Sequence, residues 1–131
     1  MAALPKSGTP SPCSPTPTRE HTFAGWLTGE EVASGDACQI NSSNRIVRAN
    51  GAAATDAARI DGFAAAAAQN GEAATLQHDV HFHYGAGLVP GTPYYLSGTV
   101  PGGLDTVAST GGTVIVARAI SPTRLYVKKS W

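Results

Sequence analysis

The chain has 131 residues, room for one domain, and carries nine Lys and Arg against nine Asp and Glu. That balance excludes the positive field that draws proteins onto nucleic acid or acidic membranes, and no apolar run approaches the roughly 20 residues of a membrane-spanning helix. Charged residues make up 14%, glycines number 15, and much of the apolar fraction is Ala, so a thin core in a soluble protein made in the cytosol is expected.

Residues 1–20 hold five of the nine prolines, Pro5, Pro10, Pro12, Pro15 and Pro17, among Ser, Thr and Lys. Proline fixes φ and biases its predecessor toward extended geometry, so an arm is expected, reaching on the order of 60 Å at about 3.1 Å per residue. It is either a tail or a segment that becomes ordered along a partner's surface. Cys13 in this arm and Cys38 in a probable strand share no metal-ligand spacing, and free thiols are expected.

From residue 21 to 131 the texture is that of an all-β domain, a small sandwich or barrel of short antiparallel strands. Turn signals recur at Ser34-Gly35-Asp36, Asn50-Gly51, Asn70-Gly71, Pro90-Gly91, Pro101-Gly102-Gly103 and Gly111-Gly112. Strands are expected over Ala37 to Ile40 and Arg45 to Arg48, joined by a polar loop at Asn41 to Asn44. Others are expected at Val80 to Tyr84, at Pro93 to Ser97, over Thr113 to Ala119, and over Arg124 to Val127. Ala64 to Ala68, with Asp61 as a possible N-cap and Asn70-Gly71 as a stop, fits a helix by local propensity. A helix this short is marginal alone, and Ala also suits a strand crowded by a neighbouring layer, so strand is the preferred expectation.

His81 and His83, two apart on a strand, project to one face, and alternation places Asp79 with them. They form the candidate metal set, with His78 opposite, although the plainer expectation is a polar face turned to solvent or a subunit boundary and no bound metal. Ser97, His81 and Asp79 supply the residue types of a hydrolytic triad, but no nucleophile elbow accompanies them. No phosphate loop, dinucleotide fingerprint or calcium loop occurs. A non-enzyme without cofactor is therefore expected. Arg45, Arg48, Arg59, Arg118, Arg124, Lys128 and Lys129 are scattered and read as ordinary surface charge. Tyr94, Tyr95, Trp26 and Trp131 are candidate contact aromatics; Trp131 in particular is a large ring that needs a cover.

The run Gly29 to Ile40, then Asp61 to Ala68 and Gly71-Glu72, resembles a pattern of phage virion proteins. Gly87-Leu88-Val89-Pro90-Gly91-Thr92-Pro93-Tyr94-Tyr95-Leu96-Ser97, then Gly102-Gly103-Leu104 and Ile115 to Val127, is similar to small β modules of phage head decoration (cement) and fibre proteins. The likeness spans roughly residues 25–128 as a texture. It implies a structural virion protein on the capsid exterior, synthesised in host cytoplasm, with the major capsid protein as partner and a homo-oligomer, a trimer first, as its own state. The alternative it implies is a receptor- or glycan-binding module of a head or tail fibre. Pro5, Pro10, Pro12, Pro15, Pro17, Tyr94, Tyr95 and Trp131 are the partner-binding candidates.

Overall fold

The computed structural model describes residues 4, 6, 9–13 and 21–131. Eleven short strands follow in chain order: β1 Ser11–Pro12, β2 Thr22–Leu27, β3 Ala37–Ile40, β4 Ile46–Arg48, β5 Gly62–Ala64, β6 Ala73–Gln77, β7 Val80–His83, β8 Pro93–Leu96, β9 Leu104–Asp105, β10 Ala117–Ala119 and β11 Arg124–Val127. They form two antiparallel sheets, β1-β7-β11-β10-β8-β9 and β2-β6-β5-β3-β4. The all-β expectation is met as a sandwich; the described residues contain no α-helix, and a 3-10 turn spans Asp56–Ala58.

The sheets enclose a core in which Phe82, Tyr94, Leu96, Leu125 and Val127 of the six-stranded sheet, with Tyr84 just past β7, pack with Ala37, Ile60 and Phe63 on the other side. A second, smaller core lies on the far face of the five-stranded sheet, where Cys38, Ile46, Ala64 and Leu76 pack with Val32, Ala68 and Trp26. The segment from Thr28 to Val32 crosses that face, bridging to Ile46 and to Ala68. Of the alanine run, Ala64 ends β5 and Ala68 bridges to Val32, both buried beneath this layer, whereas Ala65 to Ala67 leave the sheet as a bend with Ala66 and Ala67 exposed, so the run is neither a helix nor the expected strand. Asp61 consequently caps no helix; its carboxylate takes the Ile40 N–H at 2.8 Å.

Two Val-Pro-Gly turns close as their chemistry requires. In Val89 to Thr92 and Val100 to Gly103 the fourth residue's N–H meets the first carbonyl at 3.1 and 2.9 Å, with Gly91 and Gly102 at φ +92° and +75°. Gly111-Gly112 serves differently: neither has positive φ, but added Cβ atoms would collide with the Ala53 and Leu96 carbonyls. That close approach holds residues 113–116 out of the sheet, so the expected strand over Thr113 to Ala119 shrinks to β10. The Asn41 to Asn44 loop is as expected, its Asn41 carboxamide accepting the Ser43 and Arg45 N–H groups at 3.0 Å.

Part of the expected arm lies on its own domain. Ser11 and Pro12 pair with His83 and Phe82 as an edge strand. Pro10 is buried: it sits against Gly35, and its carbonyl accepts the Ser34 hydroxyl at 2.6 Å. Lys6 meets the Asp36 carboxylate at 2.6 Å. Pro5, Pro15 and Pro17 lie outside the described residues.

Candidate functional site

Two places gather chemistry that the fold alone does not require. The first is the crossover from β6 to β7, which carries the chain from one sheet to the other in two residues, His78 and Asp79. Each end is pinned: the His78 N–H donates to the His21 carbonyl at 3.0 Å, and the Asp79 N–H to the Val127 carbonyl at 2.6 Å. Changing sheets so abruptly puts Asp79 at φ +56°, the left-handed region that Asp tolerates better than most residues.

This backbone breaks the alternation that was expected to align Asp79 with His81 and His83. Asp79 is instead drawn to His78 and His21. His78, 4% exposed, has its ring between those of His21 at 5.9 Å and Phe23 at 5.6 Å. Its Nδ1 is 2.6 Å from Asp79 Oδ2, while the Tyr126 hydroxyl donates to Asp79 Oδ1 at 3.3 Å. Burial pushes the Asp79 carboxyl upward, but the His78 hydrogen bond and charge, the Tyr126 hydroxyl and His21 outweigh it and hold the group below the usual carboxylate range. His21, His78 and Asp79 each place a donor atom within 4.8 Å of the other two. His81 and His83 stand exposed on the outer sheet face, His81 beside Tyr126 with its carbonyl accepting the N–H of Cys13 just past the edge strand, His83 between Ser11 and Arg124 in register.

The second place is the end of the sandwich around Trp131. Asp61, 5% exposed, accepts the Trp131 indole N–H at 2.7 Å and contacts Arg59. Ser130 ties the same segment to Ile60 through its N–H at 3.0 Å and its hydroxyl at 2.8 Å. The ring stays 61% exposed, with the Lys129 ammonium 3.7 Å over its face. Beside it opens a cleft of about 300 Å³ lined by Arg59, Ile60, Leu96, Val114, Val116 and Ser130. Val114 on its rim is 49% exposed.

The other candidates are placed as follows. Tyr94 is 3% exposed inside the inter-sheet core and offers nothing to a partner, because its strand turns alternate residues inward; Tyr95 and Trp26 are half-buried. Ser97 is fully buried, its Oγ accepting the Thr99 and Val100 N–H groups, which makes it a turn cap and no exposed nucleophile. Arg48 pairs with Glu30 and Arg59 with Asp56 and Asp61. Cys13 and Cys38 are free thiols, Cys38 buried with its ionisation pushed upward by burial and the nearby Asp36 and Glu30 charges. None of the sequence signals pointed to His21, which reaches the crossover only because Thr22 pairs with Gln77.

No protein-family model matches the chain, and no curated protein matches it. Among the described residues, no helix is long and apolar enough to cross a membrane. Fold and sites together define an antiparallel β-sandwich with a held aromatic at one end and an imidazole–carboxylate cluster at its sheet crossover.

Proposed function

We propose that this protein is a structural component of a phage virion that binds the outer surface of the assembled head and stabilises it, acting without catalysis. The observation that carries the proposal is Trp131: a large ring, exposed, yet fixed by the Asp61 hydrogen bond and flanked by an apolar cleft. An aromatic whose rotamer is set before contact loses little entropy on docking, which is the property of interface anchors. The likeness of residues 25–128 to decoration modules supplies the partner, the major capsid protein. A protein that binds only the assembled lattice stabilises it by mass action, and the effect multiplies when several linked copies engage, the expected trimer included.

Purified full-length protein is expected to co-sediment with empty shells of the cognate capsid protein and to raise their disruption temperature. Trp131→Ala is expected to weaken shell binding by about 30-fold, the loss of a hot-spot residue, with unchanged far-UV circular dichroism. Failure of the unaltered chain to bind shells overturns the proposal. The fibre-type alternative, a glycan stacked on the same ring, is favoured if shell binding is absent and glycan-array binding is lost on Trp131→Ala.

A further inference from the structure

The sheet crossover holds donor groups that docking through Trp131 does not use. We infer that His21, His78 and Asp79 form a binding site for one divalent transition-metal ion, with zinc the best match to two imidazoles and a carboxylate. Each residue already presents a donor atom within 4.8 Å of the other two. His21 Nδ1 is buried and has no hydrogen-bond partner among the described residues. A polar atom left so costs about 1–3 kcal/mol, and ligation to an ion removes that cost.

The donor set is held by both sheets, through the His78 N–H on the His21 carbonyl and the Asp79 N–H on the Val127 carbonyl. The Tyr126 hydroxyl on Asp79 Oδ1 orients the carboxylate, the supporting hydrogen bond that metal-ligating groups commonly have. Metal bonds of about 2.0–2.2 Å place tetrahedral ligand atoms roughly 3.4 Å apart. The 2.6 Å His78 to Asp79 hydrogen bond therefore opens by about 0.8 Å and gives way to bonds to the ion, while His21, within 4.8 Å of both, supplies the third ligand. Three protein ligands leave the fourth position to water. Because His21 directly precedes β2 while His78 and Asp79 join β6 to β7, the ion fastens the edge of one sheet to the start of a strand in the other.

The rival zinc binders are the exposed His81 and His83 and the half-buried Cys13 beside them. Calorimetric titration of the full chain with zinc, and optical titration with cobalt, is expected to show one ion per chain and the visible bands of four-coordinate cobalt. His21→Ala and Asp79→Asn are each expected to lower affinity by about 100-fold or more, above the usual loss of a merely supporting group. The triple variant Cys13→Ser, His81→Ala, His83→Ala is expected to bind as the unaltered chain does. Zinc is expected to raise the melting temperature of the unaltered chain and leave that of Asp79→Asn unmoved. Absence of saturable binding overturns the inference without any variant. So does binding that survives both single substitutions or disappears in the triple variant.

Discussion

Close approach, more than turn formation, sets the value of several small residues in this molecule. Gly62 sits in β5 at the middle of the five-stranded sheet, where a Cβ would lie 2.8 Å from the Leu76 Cβ and 3.1 Å from the Gln77 carbonyl. Both obstacles belong to a paired strand that cannot retreat without breaking its ladder. Gly62→Ala is therefore expected to cost about 1–3 kcal/mol, the range for overpacking a core, read as a lower urea midpoint with unchanged denaturant slope. At the same scale, Asp61 shows how one buried carboxylate organises a region: the Ile40 N–H, the Arg59 guanidinium and the Trp131 indole converge on it. Only the last of these bears on binding, since it fixes an exposed ring.

Among the elements, the two-residue β1 does the most for its length. It covers the outer edge of β7, whose unpaired backbone groups would otherwise invite another strand. Proline suits such an edge because it lacks an N–H to leave exposed. Leu4 packs against the main core and Pro10 is buried, so this segment also contributes apolar burial. Removing residues 1–13 is expected to lower stability by about 2–4 kcal/mol, the burial of two apolar side chains. It is also expected to raise amide exchange across Val80–His83 and to drive concentration-dependent self-association in sedimentation velocity. Retained stability and a monodisperse truncated chain would show that the β1 pairing has no weight in solution. Loss of capsid binding on such a truncation would thus report a damaged edge as readily as a lost contact, which is why Trp131→Ala is the cleaner probe.

For the molecule as a whole, two buried ionisable groups give a signature of intact packing. Tyr84 lies in the inter-sheet core, where burial and then the Asp36 charge push its phenol upward from 10.0; Cys38, in the second core, is pushed upward from 9.0. Below about pH 8 both groups are protonated whether the chain is folded or not, and stability does not depend on them. Above 9.0 for Cys38 and 10.0 for Tyr84 the unfolded chain releases protons that the folded chain retains, so unfolding becomes easier by about 1.4 kcal/mol per pH unit for each group. Urea midpoints are expected to fall steeply between pH 9 and 11. Tyr84→Phe is expected to remove the tyrosine share and, because the hydroxyl has no hydrogen-bond partner among the described residues, to stabilise the fold by about 1 kcal/mol at neutral pH. An unchanged alkaline slope in that variant would place the phenol outside the core.

The fold class was legible because it rests on local chemistry. The positive-φ glycines at 91 and 102, the Asn41 loop, and the alternation through β7, β8 and β11 act over a few residues and survive any tertiary arrangement. The alanine run was ambiguous for the converse reason: its conformation is decided by the Thr28 to Val32 segment crossing above it, a contact between distant residues. Tyr94 was misplaced as a contact residue because adjacent aromatics on a strand face opposite ways, and only the second sheet decides which side is inside. The cluster at the crossover was hidden twice over. Asp79 leaves the alternating pattern because the chain changes sheets there, and His21 joins it through the pairing of β2 with β6. Strand-forming and turn-forming preferences were thus written in the chain itself, whereas the meeting of His21, His78 and Asp79, and the exposure of Trp131 over a held indole, came from long-range pairing that no local pattern encodes.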